Sequence, residues 1–207
     1  MKDNIGVHWF RLDLRLNDNP SIENLSKDVA SIMPIYIHDE SKNIGRASKC
    51  WLEKSLKSLD SQLKNLNSKL YIFKGHPETI INKILQNKSI THFYWNRIYD
   101  EESINRDRNI KSSLLKKSIS CQSFNGYLLT EPWNIQNKSG SFFKVFTPFW
   151  KTNFETLSKK LVSNSSKKST FYKNDINSVL KIDELKLNPP KKEWMNKILS
   201  YWEIGET

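Results

Sequence analysis

Short apolar segments alternate with amphipathic helical segments through the first 125 residues, and this alternation limits the fold more than any other feature of the sequence. A strand, a helix and a second strand form a parallel pair with a right-handed crossover. The chain is therefore predicted to be an α/β protein with a Rossmann-like, doubly wound, five-stranded parallel sheet in the order 3-2-1-4-5. The predicted strands are Ile5–Phe10, Ile32–Ile37, Leu70–Phe73, Thr91–Trp95 and Ser120–Phe124.

The spacing of apolar residues predicts the helices between these strands. The clearest helix has leucine at positions 52, 56, 59, 63 and 66, which places one apolar face opposite Lys and Ser. Shorter helices are predicted near Ser21–Leu25, at Glu78–Gln86 and at Glu101–Lys117. Pro34 lies inside the second strand, which favours a sheet edge, a strand start or a bulge at that position.

The alternation stops after Gly126, where an aromatic-rich segment covers residues 130–150. Because no arginine is interleaved with its aromatic residues, we expect them to be packing residues and not a surface that stacks nucleobases. Thr147 and Pro148 are typical of a helix start and predict a helix that extends to about Lys160. The aromatic residues in question are Trp133, Phe142, Phe143, Phe146, Phe149 and Trp150.

The Ser/Lys-rich segment Ser163–Thr170 has no apolar anchor and is predicted to be a flexible linker. We therefore divide the chain into an α/β domain at residues 1–158 and a C-terminal linker tail at residues 159–207. Trp194 and Trp202 lack periodic apolar partners within this tail, and we expect them to pack on a surface outside this chain.

The composition excludes several classes of protein. No apolar run approaches the roughly 20 residues that a membrane span needs, and the first residues do not resemble a signal peptide. We expect a cytoplasmic protein without a membrane partner. The chain has 33 Lys+Arg against 22 Asp+Glu, a net charge of +11, which is typical either of contact with polyanions such as DNA or of a solvated lysine surface.

The sequence predicts a binding crevice without catalytic residues. It contains no glycine-rich phosphate loop, no nucleophile elbow and no metal-ligand spacing, so no metal is expected. In open α/β sheets, ligands bind at the carboxyl ends of the strands where the strand order reverses. Polar residues follow strands 1, 2 and 4 there, with Tyr36 and Trp95 as aromatic walls, so a planar, hydrogen-bonding ligand is expected. The alternating Arg and Asp residues from Arg11 to Asp18 are equally typical of a structural ion-pair cluster.

The opening segment Val7–Pro20 contains the pattern R-x-D-L-R-x-x-D-N and resembles the start of DNA photolyases and cryptochromes. The segments Tyr36–Asp39, Tyr94–Arg97 and Phe143–Trp150 resemble later blocks of that family in the same order. The tail from Trp202 to Glu206 resembles the linker that enters the second domain of the family.

This resemblance implies an α/β domain that binds an antenna chromophore and passes excitation energy to FAD in a larger helical domain, which this chain lacks. It implies the N-terminal portion of a deoxyribodipyrimidine photolyase, a carbon–carbon lyase that repairs pyrimidine dimers in DNA with light. The expected partners are that helical FAD-binding domain, as a separate chain or lost, and UV-damaged DNA in the full protein. FAD is expected only where that domain is supplied, so the chain alone is expected to be inactive.

Two alternatives stay open at this point. One is a stand-alone, cryptochrome-like module that binds a flavin or nucleotide without repair activity. The other is a plain DNA-binding module that uses the charge of +11, which predicts strong salt-dependent binding by this chain alone.

The resemblance also bears on the antenna. Folate-binding members of the family have an Asn-Glu pair where this chain has Glu102-Ser103, so a deazaflavin or FMN is expected in preference to methenyltetrahydrofolate. Members that bind such flavins often have Arg near Ser48-Lys49 and Glu-Pro near Asp100-Glu101, so a domain without any antenna stays an alternative. The predicted antenna site consists of Arg11, Ile37, His38, Asp39, Ser48, Lys49, Leu52, Asn96, Arg97, Asp100, Glu101 and Arg106.

Overall fold

The computed structural model describes residues 4–42, 44–87, 89–158, 169–176, 179–187 and 193–205. Its five strands form one parallel sheet in the order β3-β2-β1-β4-β5. The predicted fold class and strand order are therefore confirmed. The strands are β1 (Ile5–Phe10), β2 (Ser31–His38), β3 (Tyr71–Lys74), β4 (Ile90–Asn96) and β5 (Ser120–Phe124).

Helices connect the strands and continue after the sheet. The α1 helix begins after Asn19, whose side chain accepts the N–H of Ile22 at 3.3 Å, and α4 begins after Asp100, whose carboxylate accepts the N–H of Ser103 at 2.9 Å. Two short 3-10 helices lie at Pro132–Asn134 and Ile182–Leu185. The α-helices are α1 (Pro20–Asp28), α2 (Arg46–Asn65), α3 (Pro77–Ile84), α4 (Glu101–Lys116), α5 (Phe146–Ser158) and α6 (Glu193–Leu199).

The sheet is covered on both faces. Alternate residues of each strand point to opposite faces, so Val7 packs with α3 and α4 while Phe10 packs with α1 and α2. The leucines that predicted α2 lie on its inner side, where Leu56, Leu59 and Leu63 are fully buried. The helix begins before Leu52, at Arg46, because its first turn is exposed and has no apolar pattern from which to predict it.

Pro34 lies within a regular inner strand, and the expected edge or bulge is not found at β2. Ile32 bonds through its N–H to Thr170 and through its C=O to Tyr172, and the C=O of His38 accepts the N–H of Gly75. Even-numbered residues of β2 therefore face the β3 side. Because the first β3 pair joins Ile35 to Tyr71, Pro34 falls in the gap before β3 begins, where no ladder bond needs its N–H.

The described part of the predicted tail returns to the domain. Phe171, Leu185 and Leu187 are buried on the face that α1 and α2 cover. The N–H of Leu180 donates to the C=O of Ile72 at 2.9 Å, which covers part of the edge strand β3. The division of the chain at residue 158 stays a prediction. Residues 159–168, over which we predicted the helix end at Lys160 and most of the flexible linker, lie outside the described residues.

The aromatic segment before and within α5 differs from its prediction as packing residues. Phe143 and Phe149 are half-buried, but the remaining members are exposed. The Thr130 hydroxyl donates to Asn153 Oδ1 at 2.7 Å, and Asn153 is buried. That hydrogen bond fixes one side of α5 against the domain, so the opposite side faces outward. The exposed members are Trp133, Phe142, Phe146 and Trp150.

None of the helices within the described ranges has the length and apolar character needed to cross a bilayer.

Burial of the tail leads to a stability prediction. Leu187→Ala should lower the free energy of unfolding by about 2–4 kcal/mol, because it removes a side chain that is 3% exposed. Leu129→Ala is the matched control, since Leu129 is 76% exposed and its truncation should change that free energy by less than about 0.5 kcal/mol. Urea denaturation followed by tryptophan fluorescence measures both. Equal stability of Leu187→Ala and wild type would show that the tail does not pack on the domain.

Candidate ligand-binding site

A cavity of about 1060 Å³ lies at the carboxyl edge of the sheet, where the strand order reverses between β1 and β4. Its walls are the loop after β1, the end of β2, the first turns of α2 and α4, and α6. The volume is at the upper end of the range of about 300–1,000 Å³ that is usual for small-molecule sites. This is the position where open α/β sheets hold ligands.

Most of the predicted site residues line this cavity. Those that do are Arg11, Ile37, His38, Asp39, Ser48, Leu52, Asp100 and Arg106. Lys49, Asn96, Arg97 and Glu101 do not line it.

The residues that follow β4 fall outside the cavity because they bond elsewhere. Arg97 turns toward β5, where its Nε donates to Glu131 Oε1 at 2.6 Å and its Nη1 donates to the Ser123 carbonyl. Asn96 is buried beneath the cavity and donates from Nδ2 to Asp13 Oδ2 at 2.6 Å. Neighbouring residues at a strand end point to opposite sides, so a run of polar residues cannot all face one ligand.

A buried polar cluster joins the ends of β1 and β4; it consists of Arg11, Asp13, Asn19, Asn96 and Asp107, and we call it the Arg11 cluster. Arg11 Nη1 donates to Asp107 Oδ2 at 2.7 Å, and Nη2 donates to the Asn96 carbonyl. Asp13 accepts the backbone N–H of Arg11 at 3.0 Å. Burial lowers the pKa of Arg11, and Asp107 opposes that shift. The structural ion-pair interpretation of this segment is therefore correct for Arg11 and Asp13, and Arg11 also reaches the cavity wall.

Trp9 forms the aromatic floor of the cavity. The guanidinium carbons of Arg11 and Arg106 lie 5.0 and 5.2 Å from its ring centroid. Trp95, predicted as a wall, is buried in the core instead and donates its indole N–H to Asp107 Oδ2 at 3.0 Å. Trp9 and Arg11 share one face of β1, so alternation along that strand was a signal that could have found Trp9.

The end of β2 supplies neutral polar groups. Burial lowers the pKa of His38, so its imidazole is neutral at pH 7. Burial also raises the pKa of Tyr36 and keeps its hydroxyl protonated. Charged groups lie nearer the mouth, where Asp100 is exposed and Lys42 pairs with Glu102 at 2.8 Å. The cavity therefore becomes less polar and less charged with depth.

The tail supplies the last wall, which the sequence did not indicate. Trp194, Met195 and Ile198 of α6 line the cavity, followed by Glu203 and Gly205. Gly205 has a φ of 89° and lies so close to Ser58 of α2 that a Cβ atom there would overlap the serine side chain. Trp194 had been predicted to pack on an absent surface, whereas Trp202 is indeed 68% exposed.

Metal chemistry has no support in the described ranges, which contain no group of three His, Cys, Asp or Glu side chains that could hold a metal ion.

Taken together, these features define a doubly wound α/β domain with a large, mostly apolar cleft at its switch point. The family model for DNA photolyase matches residues 6–166, and the chain belongs to the DNA photolyase family.

Relatives include the deoxyribodipyrimidine photo-lyase of Agrobacterium fabrum, which is 32% identical over 202 residues, 97% of this chain and 42% of that protein. Cryptochrome-2 of Arabidopsis thaliana is 37% identical over 150 residues, 70% of this chain and 24% of that protein. This chain therefore spans less than half the length of these relatives.

Solved structures agree with these matches. The class III photolyase from Agrobacterium tumefaciens superposes with a TM-score of 0.84 and 29% identity, over 98% of this chain and 42% of that chain. An archaeal photolyase from Sulfolobus tokodaii superposes with a TM-score of 0.73 and 22% identity, over 96% of this chain and 46% of that chain, and it shows the fold alone.

His8, beneath the site, predicts a pH dependence of stability. Its ring is completely buried, with Nδ1 2.8 Å from Ser21 Oγ, and burial lowers its pKa to about 4. In the unfolded chain its pKa is about 6.5, so between these values only the unfolded state takes up the proton. Stability should therefore fall as the pH drops from 6.5 to 4, by up to about 3 kcal/mol from this group.

Urea denaturation at several pH values tests this dependence. His8→Gln should flatten the decrease, while His76→Gln, at an exposed turn, should keep it. An unchanged pH profile for His8→Gln would contradict the assignment.

Proposed function

We propose that this chain is the antenna-binding N-terminal part of a light-driven photolyase that repairs pyrimidine dimers in DNA. The observation that carries the proposal is the large cavity at the switch point of a sheet that belongs to the DNA photolyase family. Because the chain spans less than half of its relatives, we assign the repair chemistry to a FAD-binding helical part and UV-damaged DNA to the whole protein. We also propose that it acts in the cytoplasm.

The cavity residues fit a planar chromophore. Trp9 offers an aromatic surface, while Leu52 and Ile198 belong to walls that exclude water. Two deeply buried polar atoms of the floor, Trp9 Nε1 and Arg11 Nε, have no hydrogen-bond partner, so an acceptor on a bound ring would satisfy them. Neutral His38 and Ser48 can orient the polar edge of such a ring. When bound, the chromophore would supply light absorption for transfer of excitation energy to FAD.

A deazaflavin or FMN fits better than methenyltetrahydrofolate. Ser103 lines the cavity and is buried, but Glu102 points outward and pairs with Lys42. The acidic residue next to Ser103 is therefore not aimed at a ligand, which supports the expectation drawn from the Glu102-Ser103 pair. The Sulfolobus photolyase holds two FAD molecules, and its structure implies a novel light-harvesting cofactor.

A cryptochrome-like module without repair activity is the second candidate. The identity to Arabidopsis Cryptochrome-2, 37% over 150 residues, is higher than the 32% to the Agrobacterium photolyase over 202 residues. A module of this kind would share the cavity and the chromophore, so repair activity is what separates the two candidates.

Reconstitution tests the antenna. The full chain is incubated with a deazaflavin, FMN or methenyltetrahydrofolate, freed of unbound ligand by gel filtration, and its absorbance spectrum is recorded. We expect retention of the deazaflavin or FMN, because the deep walls are apolar and the neutral groups lie along one edge. Tight retention of the folate would overturn the choice of antenna, and retention of none of the three would overturn the antenna proposal.

A matched pair of variants locates the binding. Leu52→Trp fills the cavity from α2 and should weaken chromophore binding at least 10-fold, as measured by fluorescence titration. Leu66→Trp, just after the same helix and remote from the cavity lining, should leave the affinity within 2-fold of wild type. Equal affinities for both variants would place the chromophore elsewhere.

Illumination with thymine-dimer DNA tests the division of labour. The chain alone should remove no more dimer than a protein-free sample, because we assign the chemistry to the FAD-binding part; the full-length Agrobacterium fabrum enzyme is the positive control. Repair by the chain alone would refute this division. Repair that begins when the C-terminal part of a photolyase is added would favour the photolyase over the cryptochrome-like module.

A further inference from the structure

One side of α5 presents a continuous row of large apolar side chains to the outside; we call it the α5 aromatic face, and it consists of Phe142, Val145, Phe146, Trp150 and Phe154. These side chains are between 42% and 70% exposed. The rings follow one another along the helix, with centroids 6.1 Å apart from Phe146 to Trp150 and 5.8 Å apart from Trp150 to Phe154. Spacing of four residues places all three on one stripe of the helix.

This face is too large to be ordinary surface. An aromatic side chain has about 150–250 Å² to bury, so the four rings together expose several hundred Å². Contiguous exposed patches of that size mark interaction sites, whereas single exposed apolar residues need no explanation. The hydrogen bond from Thr130 to Asn153 holds the opposite side of α5 against the domain. The face is therefore presented by an anchored helix.

The charges around the face exclude a second copy of this chain as a good partner. Residues 132–154 contain Lys138, Lys144 and Lys151 but no Asp or Glu. Two such faces brought together would place like charges at the rim of a shared apolar core, and like charges across an interface are unfavourable. A complementary surface needs an apolar centre with an acidic rim.

The ring geometry also favours a protein over single-stranded nucleic acid. Bases stack on free ring faces that basic residues accompany. Here Phe146 and Trp150 stack on each other with an interplanar angle of 11°, so part of each ring face is already occupied. Val145 adds an aliphatic group that offers no stacking.

We propose that the α5 aromatic face is the docking surface for the C-terminal part of a photolyase-length protein, an inference that rests on the proposed function. The match to the Agrobacterium photolyase covers 97% of this chain but 42% of that enzyme, so α5 lies within the shared part and more than half of the relative lies beyond it. That remainder is a protein surface of the required size. It covers the face either in one polypeptide or as a separate chain.

Co-purification tests the proposal. The tagged full chain is coexpressed with the part of the Agrobacterium fabrum photolyase that lies beyond the match, after far-UV circular dichroism has shown that this probe is folded. Wild type should retain the probe. The double variant Phe146→Gln/Phe154→Gln should bind it at least 10-fold more weakly by biolayer interferometry. Leu115→Gln is the control, because Leu115 on α4 and Phe154 are both 57% exposed, and it should bind within 2-fold of wild type.

Each other outcome overturns the docking surface. Equal binding by wild type and the double variant would place the interface elsewhere, and no binding of the folded probe to wild type would refute docking. A labelled single-stranded oligonucleotide that binds wild type but not the double variant would assign the face to nucleic acid. Chromophore retention by the same proteins keeps the two proposals separate: the double variant should retain chromophore as wild type does, and loss of retention by wild type would count against the proposed function alone.

Discussion

The structure depends on the Arg11 cluster, which ties the loop after β1 to the end of β4 and the start of α4. Asp107 is its centre, since it accepts hydrogen bonds from Arg11, from Trp95 and from Arg106. A buried guanidinium is costly unless charge and hydrogen bonds compensate it, so removal of either partner leaves an unpaired buried charge. The cluster sits at the point where the strand order reverses. It therefore fixes the separation of the two loops that form the cavity.

The same groups connect stability to the site. Arg106 is held by Asp107 and lies over the Trp9 ring, so the cavity floor is positioned by residues that also close the fold. The opposite wall comes from α6, whose backbone continues to Gly205 against α2. A ligand in this cavity would thus touch both the α/β domain and its tail. A rigid floor beneath apolar walls is the arrangement that orients a planar ring and excludes water from it.

Prediction from sequence succeeded where a local pattern decides the outcome. The spacing of leucines in α2 indicated which residues are buried, and the order of the strands followed from the handedness of their crossovers. It failed at Arg97, because a run of polar residues does not show which side of the strand end each will take. It failed also for the aromatic residues near α5, since composition alone does not distinguish a ring that packs inside from one that awaits a partner.

The sequence by itself determined the parallel sheet, its strand order, its two covered faces and the edge at which ligands bind, because hydrophobic periodicity and crossover handedness are properties of neighbouring segments. The opening segment Val7–Pro20 also contained the family pattern that the comparisons bear out. Only the tertiary structure decided that Trp9 and not Trp95 faces the cavity, that Asp107 pairs with Arg11 across 96 residues, and that the tail closes the site. Those contacts join segments far apart in the chain, and no local pattern specifies which of several equally suitable side chains will meet when the chain packs.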